Sequence, residues 1–185
     1  ELLSFKPDFV PAGELDRGDY LVFVSNKKIK DNPNFTPEIM KLIGYYLAEG
    51  YIYRSFNNKN YTLSFSLNKN EKENIAELET LLLRITGKEP RERIRRNAIE
   101  ISISSKKWVD FLGDDASHYA SEKKLSEEIL VLPFKKQWEM IKTYIKGDGS
   151  LSWRRKNSNP RYEITTASPT LAVQTQEILA RGVIF

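Results

Sequence analysis

Two short apolar stretches of the same design, one in each half of the chain, constrain the fold more than any other feature. The first occupies residues 42–50 (Leu-Ile-Gly-Tyr-Tyr-Leu-Ala-Glu-Gly) and the second residues 141–149 (Ile-Lys-Thr-Tyr-Ile-Lys-Gly-Asp-Gly). Each pattern is typical of the end of a helix that stops at a carboxylate, Glu49 or Asp148, followed by a glycine. The sequence therefore predicts two helices that bring these two acids together.

Small residues in both stretches indicate how the two helices meet. Gly44 and Ala48 lie four positions apart in the first stretch, and Thr143 and Gly147 occupy the matching positions in the second. Residues four apart share one face of a helix, and small side chains there let a second helix approach closely. We expect the helices to pack through these four residues.

The elements around each stretch are repeated. Thr36 and Pro37 are a typical helix start, and Ser168 and Pro169 are another. Alternating apolar residues after Gly50 and after Gly149 predict a β-hairpin in each half. The order helix, hairpin, helix thus occurs twice, which is an internal repeat. The first copy adds a second hairpin, over residues 91–103, that the second copy lacks; we expect either a fragment or a reduced second half.

Composition excludes several classes of protein. The 185 residues, 40% of them hydrophobic, suffice for one compact domain or two small repeats. No apolar run approaches the roughly 18 residues that span a bilayer. The chain has no cysteine and one histidine, His118, which excludes disulfides and thiolate or multi-histidine metal sites. We expect an intracellular protein, in the cytoplasm or nucleoid, whose metal has oxygen ligands, as Mg²⁺ prefers.

The distribution of positive charge favours a polyanionic partner. The formal net charge is +4, which alone says little. The cationic side chains are concentrated in two clusters, and each lies in a predicted hairpin. They are Arg91, Arg93, Arg95 and Arg96 in the first half, and Arg154, Arg155, Lys156 and Arg161 in the second.

Glu49 and Asp148 occupy an unfavourable place for anions. The last carbonyls of a helix already present partial negative charge, so two acids beside two helix ends concentrate negative oxygens. A divalent cation relieves that repulsion, and it can activate water for phosphodiester hydrolysis. The alternative is that both acids are solvated residues and that Gly50 and Gly149 simply terminate helices. Matching positions in two repeats favour the metal site.

Together the two stretches resemble the paired motifs of the LAGLIDADG homing endonucleases of the two-repeat, single-chain type. The acid at the eighth motif position is Glu49 and then Asp148, and the small residues and final glycines also match, with Thr143 a slight departure. The resemblance covers residues 34–185. It implies an α+β fold of two αββαββ repeats in pseudo-twofold arrangement, with saddle-shaped antiparallel β-sheets and a second repeat that is apparently truncated.

The resemblance also implies an activity and its partners. It implies a monomeric, site-specific endonuclease that cuts both strands of double-stranded DNA at a long target, with Mg²⁺ as cofactor and Mn²⁺ as a substitute. The metal residues are then Glu49 and Asp148, together with Gly50 and Gly149. The family places a polar or basic residue near the end of the second strand, before the next helix. Asn68 and Lys69 occupy that place, just before a predicted helix cap at Asn70, and we expect Lys69 to be an auxiliary catalytic residue.

DNA contacts are expected from the outward-facing side chains of the hairpins, because arginine and lysine pair with guanine edges, asparagine with adenine and serine with either. Tyr51 and Trp153 lie at the starts of these hairpins and have an alternative interpretation as core aromatic residues rather than DNA contacts. The candidates are Tyr53, Ser55, Asn57, Lys59, Ser64, Ser66, Arg91, Arg93, Arg95, Ser152, Arg154, Lys156 and Arg161. The three arginines of the first half share one face if Ile94 points inward.

Residues 9–20 resemble the stretch of an intein's splicing domain just before an endonuclease insertion. The expected organisation is a splicing-domain-like segment and linker (1–33), a first repeat (34–118), an inter-repeat linker (119–132) and a second repeat (133–185). We expect the endonuclease region of an intein, or a free-standing relative. Two other classes remain open: a LAGLIDADG-type RNA maturase or DNA-binding module without cleavage activity, and a structural α+β domain that binds no DNA.

Overall fold

The chain is an α+β protein in which a central pair of helices carries two antiparallel sheets. The computed structural model describes residues 8, 10–20, 28–55, 57, 59–115, 119–152 and 161–182. The helices are α1 (Pro37–Glu49), α2 (Lys72–Thr86), α3 (Lys106–Asp115), α4 (Glu127–Leu130), α5 (Phe134–Asp148) and α6 (Pro169–Arg181). The strands are β1 (Gly50–Arg54), β2 (Tyr61–Asn68), β3 (Arg91–Arg95), β4 (Ala98–Ser104), β5 (Gly149–Ser152) and β6 (Arg161–Ile164).

The element order repeats as the sequence predicts. The first copy is α1-β1-β2-α2-β3-β4, and its strands form one antiparallel sheet in the order β1-β2-β4-β3. The second copy is α5-β5-β6-α6, with β5 and β6 paired as an antiparallel hairpin. The predicted α+β class is therefore confirmed.

Helix starts follow the sequence in two cases and depart from it in one. Thr36 caps α1 by accepting a hydrogen bond from the amide of Ile39 at 3.4 Å, and Ser168 caps α6 in the same way. The predicted cap at Asn70 is wrong. Helix α2 begins at Lys72, and the amide of Asn70 instead donates to the Asn68 side chain at 3.0 Å, which closes a local turn.

The two motif helices, α1 and α5, pack directly against each other. A Cβ atom added to Gly44 would lie 2.5 Å from the Met140 carbonyl oxygen and 2.7 Å from the Thr143 Cβ. A Cβ on Gly147 would lie 2.5 Å from the Cβ of Ala48. The backbones thus approach to a distance that only these small residues permit.

Glu77 of α2 ties the helix pair from the side. Its carboxylate accepts hydrogen bonds from the Tyr45 hydroxyl and Lys41 of α1, at 2.9 and 3.1 Å, and from Lys146 of α5, at 2.7 Å. Burial opposes ionisation of Glu77, but the bonds from these three donors hold its pKa at about 2. Three helices are therefore joined at one carboxylate.

The core lies between the helices and the inner face of the four-stranded sheet. That face carries a row on β2 (Leu63, Phe65, Leu67) and a row on β4 (Ile99, Ile101, Ile103), all buried. Ile94 departs from the expectation, since 77% of it is exposed. It lies on β3, which is the edge strand and pairs with β4 alone among the described strands.

The predicted linker 119–132 is part of this core, because Leu125, Ile129 and Leu132 are buried. Backbone contact also crosses the predicted boundary at residue 33, where the Lys30 amide donates to the Val131 carbonyl at 2.9 Å.

Among the described helices, none combines the length and apolar character that crossing a membrane requires.

We predict that Gly44→Ala lowers the free energy of unfolding by about 1–3 kcal/mol, the usual cost of overpacking. The new methyl group meets the backbone of α5, so the helices must separate. Urea denaturation measures the change. Gly13→Ala is the control, because a Cβ there has no neighbour within 4 Å. Equal stability of both variants would contradict the close approach of α1 and α5.

Candidate active site

Glu49 and Asp148 lie at the points where α1 and α5 turn directly into β1 and β5. The glycines that follow have extended backbone angles, with φ of −89° at Gly50 and −87° at Gly149. They are required by proximity: a Cβ would lie 2.5 Å from Tyr46 Cα in the first case and 2.2 Å from the Ile145 carbonyl oxygen in the second. Each helix thus turns sharply into its strand, and the acid sits at the turn.

The two carboxylates lie close enough to affect each other's surroundings, with Glu49 partly buried and Asp148 more exposed. Burial raises the pKa of Glu49 to about 7, and the negative charge of Asp148 adds to the rise. Burial also raises the pKa of Asp148. Within the described ranges, neither acid forms a salt bridge. The site is therefore short of positive charge.

The ammonium group of Lys123 is the positive charge that acts on both acids. Lys123 was not among the residues predicted from the sequence. Its Nζ donates to the carbonyls of Tyr46, Leu47 and Gly50 at 2.8, 2.9 and 3.0 Å, and only 8% of the residue is exposed. Burial lowers the pKa of Lys123 to about 8, although both carboxylates oppose that shift. Its charge in turn lowers the pKa of Glu49 and of Asp148. Lys123 thus offsets part of the negative charge of a helix end and of the acid pair.

Helix α6 holds the segment that carries Lys123. The Ser168 hydroxyl donates to the Lys123 carbonyl at 2.6 Å while it caps α6. Gln174 bonds both backbone groups of Leu125, accepting from its amide at 2.7 Å and donating to its carbonyl at 2.9 Å. The site therefore depends on α1, α5 and α6 together.

The burial of Lys123 fits the local shape of the chain. Residues 123 and 125 are buried, whereas Lys124 between them is exposed. Such alternation is typical of an extended segment with one buried side. Lys123 lies between two other charged residues, Glu122 and Lys124, and is separated from Leu125 by one position, so the sequence pattern is too short to select it.

Lys69 and Asn68 lie at the end of β2 but make other contacts. Lys69 Nζ donates to the Arg96 carbonyl at 3.4 Å, and Asn68 accepts from the Asn70 amide. The charge of Lys69 is absent from the causes that shift the pKa of Glu49, whereas that of Lys123 is present. The auxiliary role of Lys69 remains a prediction.

The two carboxylates suit a hard cation whose remaining ligands are water or substrate oxygens. No group of three or more His, Cys, Asp or Glu residues able to hold a metal ion occurs in the part of the chain that is described. Mg²⁺ commonly binds through one or two carboxylates plus water and substrate phosphates, and the uncompensated acid pair fits that mode. The Gly50 carbonyl already accepts from Lys123, so the carboxylates are the principal protein ligands on offer; Gly149 at the matching position remains a predicted ligand.

The outer face of the four-stranded sheet is polar and largely exposed. Strand register places side chains of four strands in common rows, since residues directly opposite share a face. One row contains Tyr51, Ser64, Ser102 and Arg91, and the next contains Ser66, Glu100 and Arg93. The row beyond contains Asn68, Ala98 and Arg95. The three arginines therefore do share the outer face, although Ile94 is not buried.

Most predicted DNA contacts on this sheet are accessible, with one correction. Tyr53, Ser66 and the three arginines are exposed. Ser64 is only 2% exposed, so a direct contact from its side chain to DNA is excluded in this conformation. Tyr51 is exposed on the same face as Tyr53, which makes its alternative core assignment wrong; Ile52 is the core residue of β1.

Residues at the tip of the first hairpin stabilise its turn. Ser55 Oγ accepts from the amides of Lys59 and Asn60 at 3.1 and 2.9 Å, and donates to Asn57 Oδ1 at 2.7 Å. The polar groups of Ser55 and Asn57 are thus already bonded within the turn. Lys59 is exposed.

The second hairpin is described in part. Ser152 and Arg161 lie directly opposite each other, and Ser152 Oγ donates to Glu163 at 3.2 Å. Arg161 is exposed, and its guanidinium lies 3.9 Å from the Glu163 carboxylate. Trp153 and two predicted contacts, Arg154 and Lys156, lie outside the described residues.

Comparison with known proteins finds a matching domain family and a similar fold. Residues 36–112 match the sequence profile of the LAGLIDADG-like domain. The fold is similar to that of a variant of I-DmoI in complex with its target DNA in the presence of manganese, with a TM-score of 0.58, 17% identity, and coverage of 80% of this chain and 76% of the other.

Two curated relatives show where similar segments occur. The chain is 27% identical to an iron-sulfur cluster assembly SufBD family protein of Mycobacterium tuberculosis, over 98% of this chain and 21% of that protein. It is 30% identical to a DNA polymerase of Thermococcus litoralis, over 72% of this chain and 7% of the polymerase. The chain thus spans about a fifth or less of the length of these relatives.

We predict that Glu49→Gln stabilises the protein at pH 8, by the order of 1 kcal/mol for a half-buried carboxylate. The folded-state pKa of Glu49 lies above its ordinary value, so ionisation in the folded state costs free energy. That cost is complete above pH 7, shrinks as the pH falls through 7 and is absent below about 4.5. Denaturation of both proteins between pH 8 and pH 5 measures the difference. A gain independent of pH would contradict the raised pKa.

Proposed function

We propose that this chain, whose residues 36–112 match the LAGLIDADG-like domain and whose fold is similar to that of I-DmoI, is a site-specific endonuclease for double-stranded DNA. The observation that carries the proposal is the juxtaposition of Glu49 and Asp148 at two helix ends, with too little positive charge to balance them. Such a pair does not help a purely structural domain, because burial and the charge of Asp148 make ionisation of Glu49 unfavourable.

Each element of the site has a part in hydrolysis. Glu49 and Asp148 are the residues that would hold a divalent cation, Mg²⁺ or Mn²⁺. Such an ion, when bound, supplies activation of water and stabilisation of negative charge on the phosphate. Lys123 lowers the pKa of both acids, so it keeps more of each in the ionised form that binds a cation near pH 7.

The outer face of the sheet supplies binding and recognition. Arg91, Arg93 and Arg95 are exposed in one column along the edge strand β3. Cations in this arrangement contact phosphates or guanine edges. Because two acids from one chain complete the site, we propose that the protein acts as a monomer.

The relatives support an embedded origin. Segments similar to this chain form a small part of two proteins with unrelated names, one concerned with iron-sulfur cluster assembly and one a DNA polymerase. A module inserted into different hosts explains that distribution. Together with the resemblance of residues 9–20 to a splicing domain, it supports the endonuclease region of an intein, acting inside the cell.

The alternative, a maturase or a binding module without cleavage, differs in one observable. Incubation with a randomised duplex DNA library yields an enriched, doubly cut product with Mg²⁺ and none with EDTA if the protein is a nuclease. Binding that weakens with salt but gives no product with either would favour the binding module. Absence of salt-dependent binding would favour a structural domain.

We predict that Glu49→Gln and Asp148→Asn each retain DNA binding and lose double-strand cleavage by at least about 100-fold, because each removes half of the cation site. Gel-shift titration in Ca²⁺ and a cleavage assay in Mg²⁺ measure the two properties. Glu89→Gln, an exposed acid in the loop after α2, makes the same charge change and should leave both unaltered. Wild-type cleavage by both site variants would refute the proposed mechanism.

We predict that Lys123→Met moves the acid limb of the pH–rate profile to higher pH. Loss of the ammonium removes the charge that lowers the pKa of Glu49, so a higher pH is needed to ionise the acid pair. The control is Lys124→Met, since Lys124 is the exposed neighbour. A lower rate with an unshifted profile would show that Lys123 acts only by supporting the structure.

A further inference from the structure

The outer face of the four-stranded sheet carries one carboxylate among the residues described there. Its other members are hydroxyl, amide, aromatic, alanine and arginine side chains. Glu100 lies at the middle of this face, on β4, directly between Ser66 of β2 and Arg93 of β3. An anion at the centre of a surface that is to bind a polyanion requires an explanation.

The carboxylate of Glu100 is held in one orientation. Arg95 donates to Oε2 through Nε at 3.1 Å, and its terminal nitrogen lies 3.1 Å from the same oxygen. Only 20% of the Glu100 side chain is exposed, compared with 54% for Arg95. From the other side Tyr51 approaches: its pKa is raised first by burial, and the charge and hydrogen bonding of Glu100 add to the rise. The group is therefore fixed between β1 and β3.

Neither stability nor DNA affinity accounts for this carboxylate. Its partner Arg95 is more than half exposed, and surface ion pairs of that kind contribute little. Against DNA phosphates the same charge is repulsive and lowers affinity for every sequence. A group that weakens general binding and is held rigidly fits a role in discrimination between sequences.

The chemistry of base edges identifies what it discriminates. In the major groove, guanine and thymine present acceptor oxygens, which repel a carboxylate. Adenine presents an amine donor beside the acceptor N7, so one carboxylate oxygen is repelled while the other is bound. Cytosine presents its N4 amine with no acceptor on that edge. A fixed carboxylate therefore favours cytosine.

We infer that Glu100 is a specificity-determining residue that accepts a hydrogen bond from the N4 amine of one cytosine in the target, with Arg95 as the residue that orients it. The inference rests on the proposed function, because it needs the outer face to lie in a DNA groove. Gly50 pairs with Phe65, next to Ser66, and Ser66 pairs with Glu100. Since this row lies level with the turn that carries Glu49, the cytosine lies in the central part of the target.

The test compares sequence preferences of three full-length proteins, the wild type, Glu100→Gln and Glu89→Gln, by selection of bound duplexes from a randomised library. Glu100→Gln should lose the cytosine preference at one position and select adenine there, because a glutamine amide pairs with adenine N6 and N7. Affinity for the original target should fall by about 5- to 20-fold, within the usual cost of one mismatched contact. Glu89→Gln, with the same change in charge, should keep the wild-type preference.

Two outcomes overturn the inference while leaving the endonuclease intact. Glu100→Gln that binds every sequence more tightly, with unchanged preference at each position, would show that the carboxylate acts only by general repulsion. A change at a guanine position that Arg95→Gln alters in the same way would show that Glu100 acts only by orienting Arg95. If the wild type enriches no sequence at all, the proposed function fails, and this inference fails with it.

A second measurement avoids dependence on the variant's stability. Wild-type protein is titrated with a target in which the selected cytosine is replaced by 2-pyrimidinone, which lacks the 4-amino group. Affinity should fall by the same factor as in Glu100→Gln, and the variant should show no further loss with the modified target, as expected when two changes remove one contact. Additive losses would contradict a direct contact.

Discussion

The approach of α1 and α5 is the constraint on which the rest of the structure depends. Gly44 and Gly147 leave no space for a side chain, so the helix axes are fixed by backbone contact. Both helices end at the same place, and both sheets begin there, because Gly50 and Gly149 start their strands immediately. A looser helix pair would separate the two acids and also change the spacing of the two sheets. One packing contact therefore sets the geometry of catalysis and of recognition.

The cost of that geometry is electrostatic. Burial makes ionisation of Glu49 unfavourable and raises its pKa, and the negative charge of Asp148 adds to the rise. The protein offsets part of this with Lys123, whose own burial is unfavourable and lowers its pKa. Glu77 shows the opposite arrangement within the same helices: three donors surround one acid and its pKa falls. Hydrogen-bond donors thus stabilise the Glu77 carboxylate, where it joins helices. Glu49 and Asp148 have less positive charge near them and can bind a cation.

The sequence predicted those parts of the molecule that depend on local pattern. Helix periodicity, the caps at Thr36 and Ser168, and the strand alternation of β2 and β4 are each encoded within a few residues. The misses depend on contacts between distant segments. Burial of Lys123 needs α1 and α6, and concealment of Ser64 accompanies a side-chain hydrogen bond with Tyr51. Ile94 is exposed on β3 although Ile52, on the other edge strand, is buried. At Asn70, the amide donates to the Asn68 side chain in a local turn, and α2 begins two residues later, at Lys72.

The anchoring of Lys123 ties the site to the order in which the chain is made. Both acids precede residue 150, and Lys123 lies between them in the sequence. The backbone of Lys123 is nevertheless held by Ser168, and that of nearby Leu125 by Gln174. Both carboxylates are therefore translated before the helix that fixes their lysine. The charge balance of the site is reached only when α6 has been made and has docked, so the site depends on a helix that lies later in the sequence than either acid.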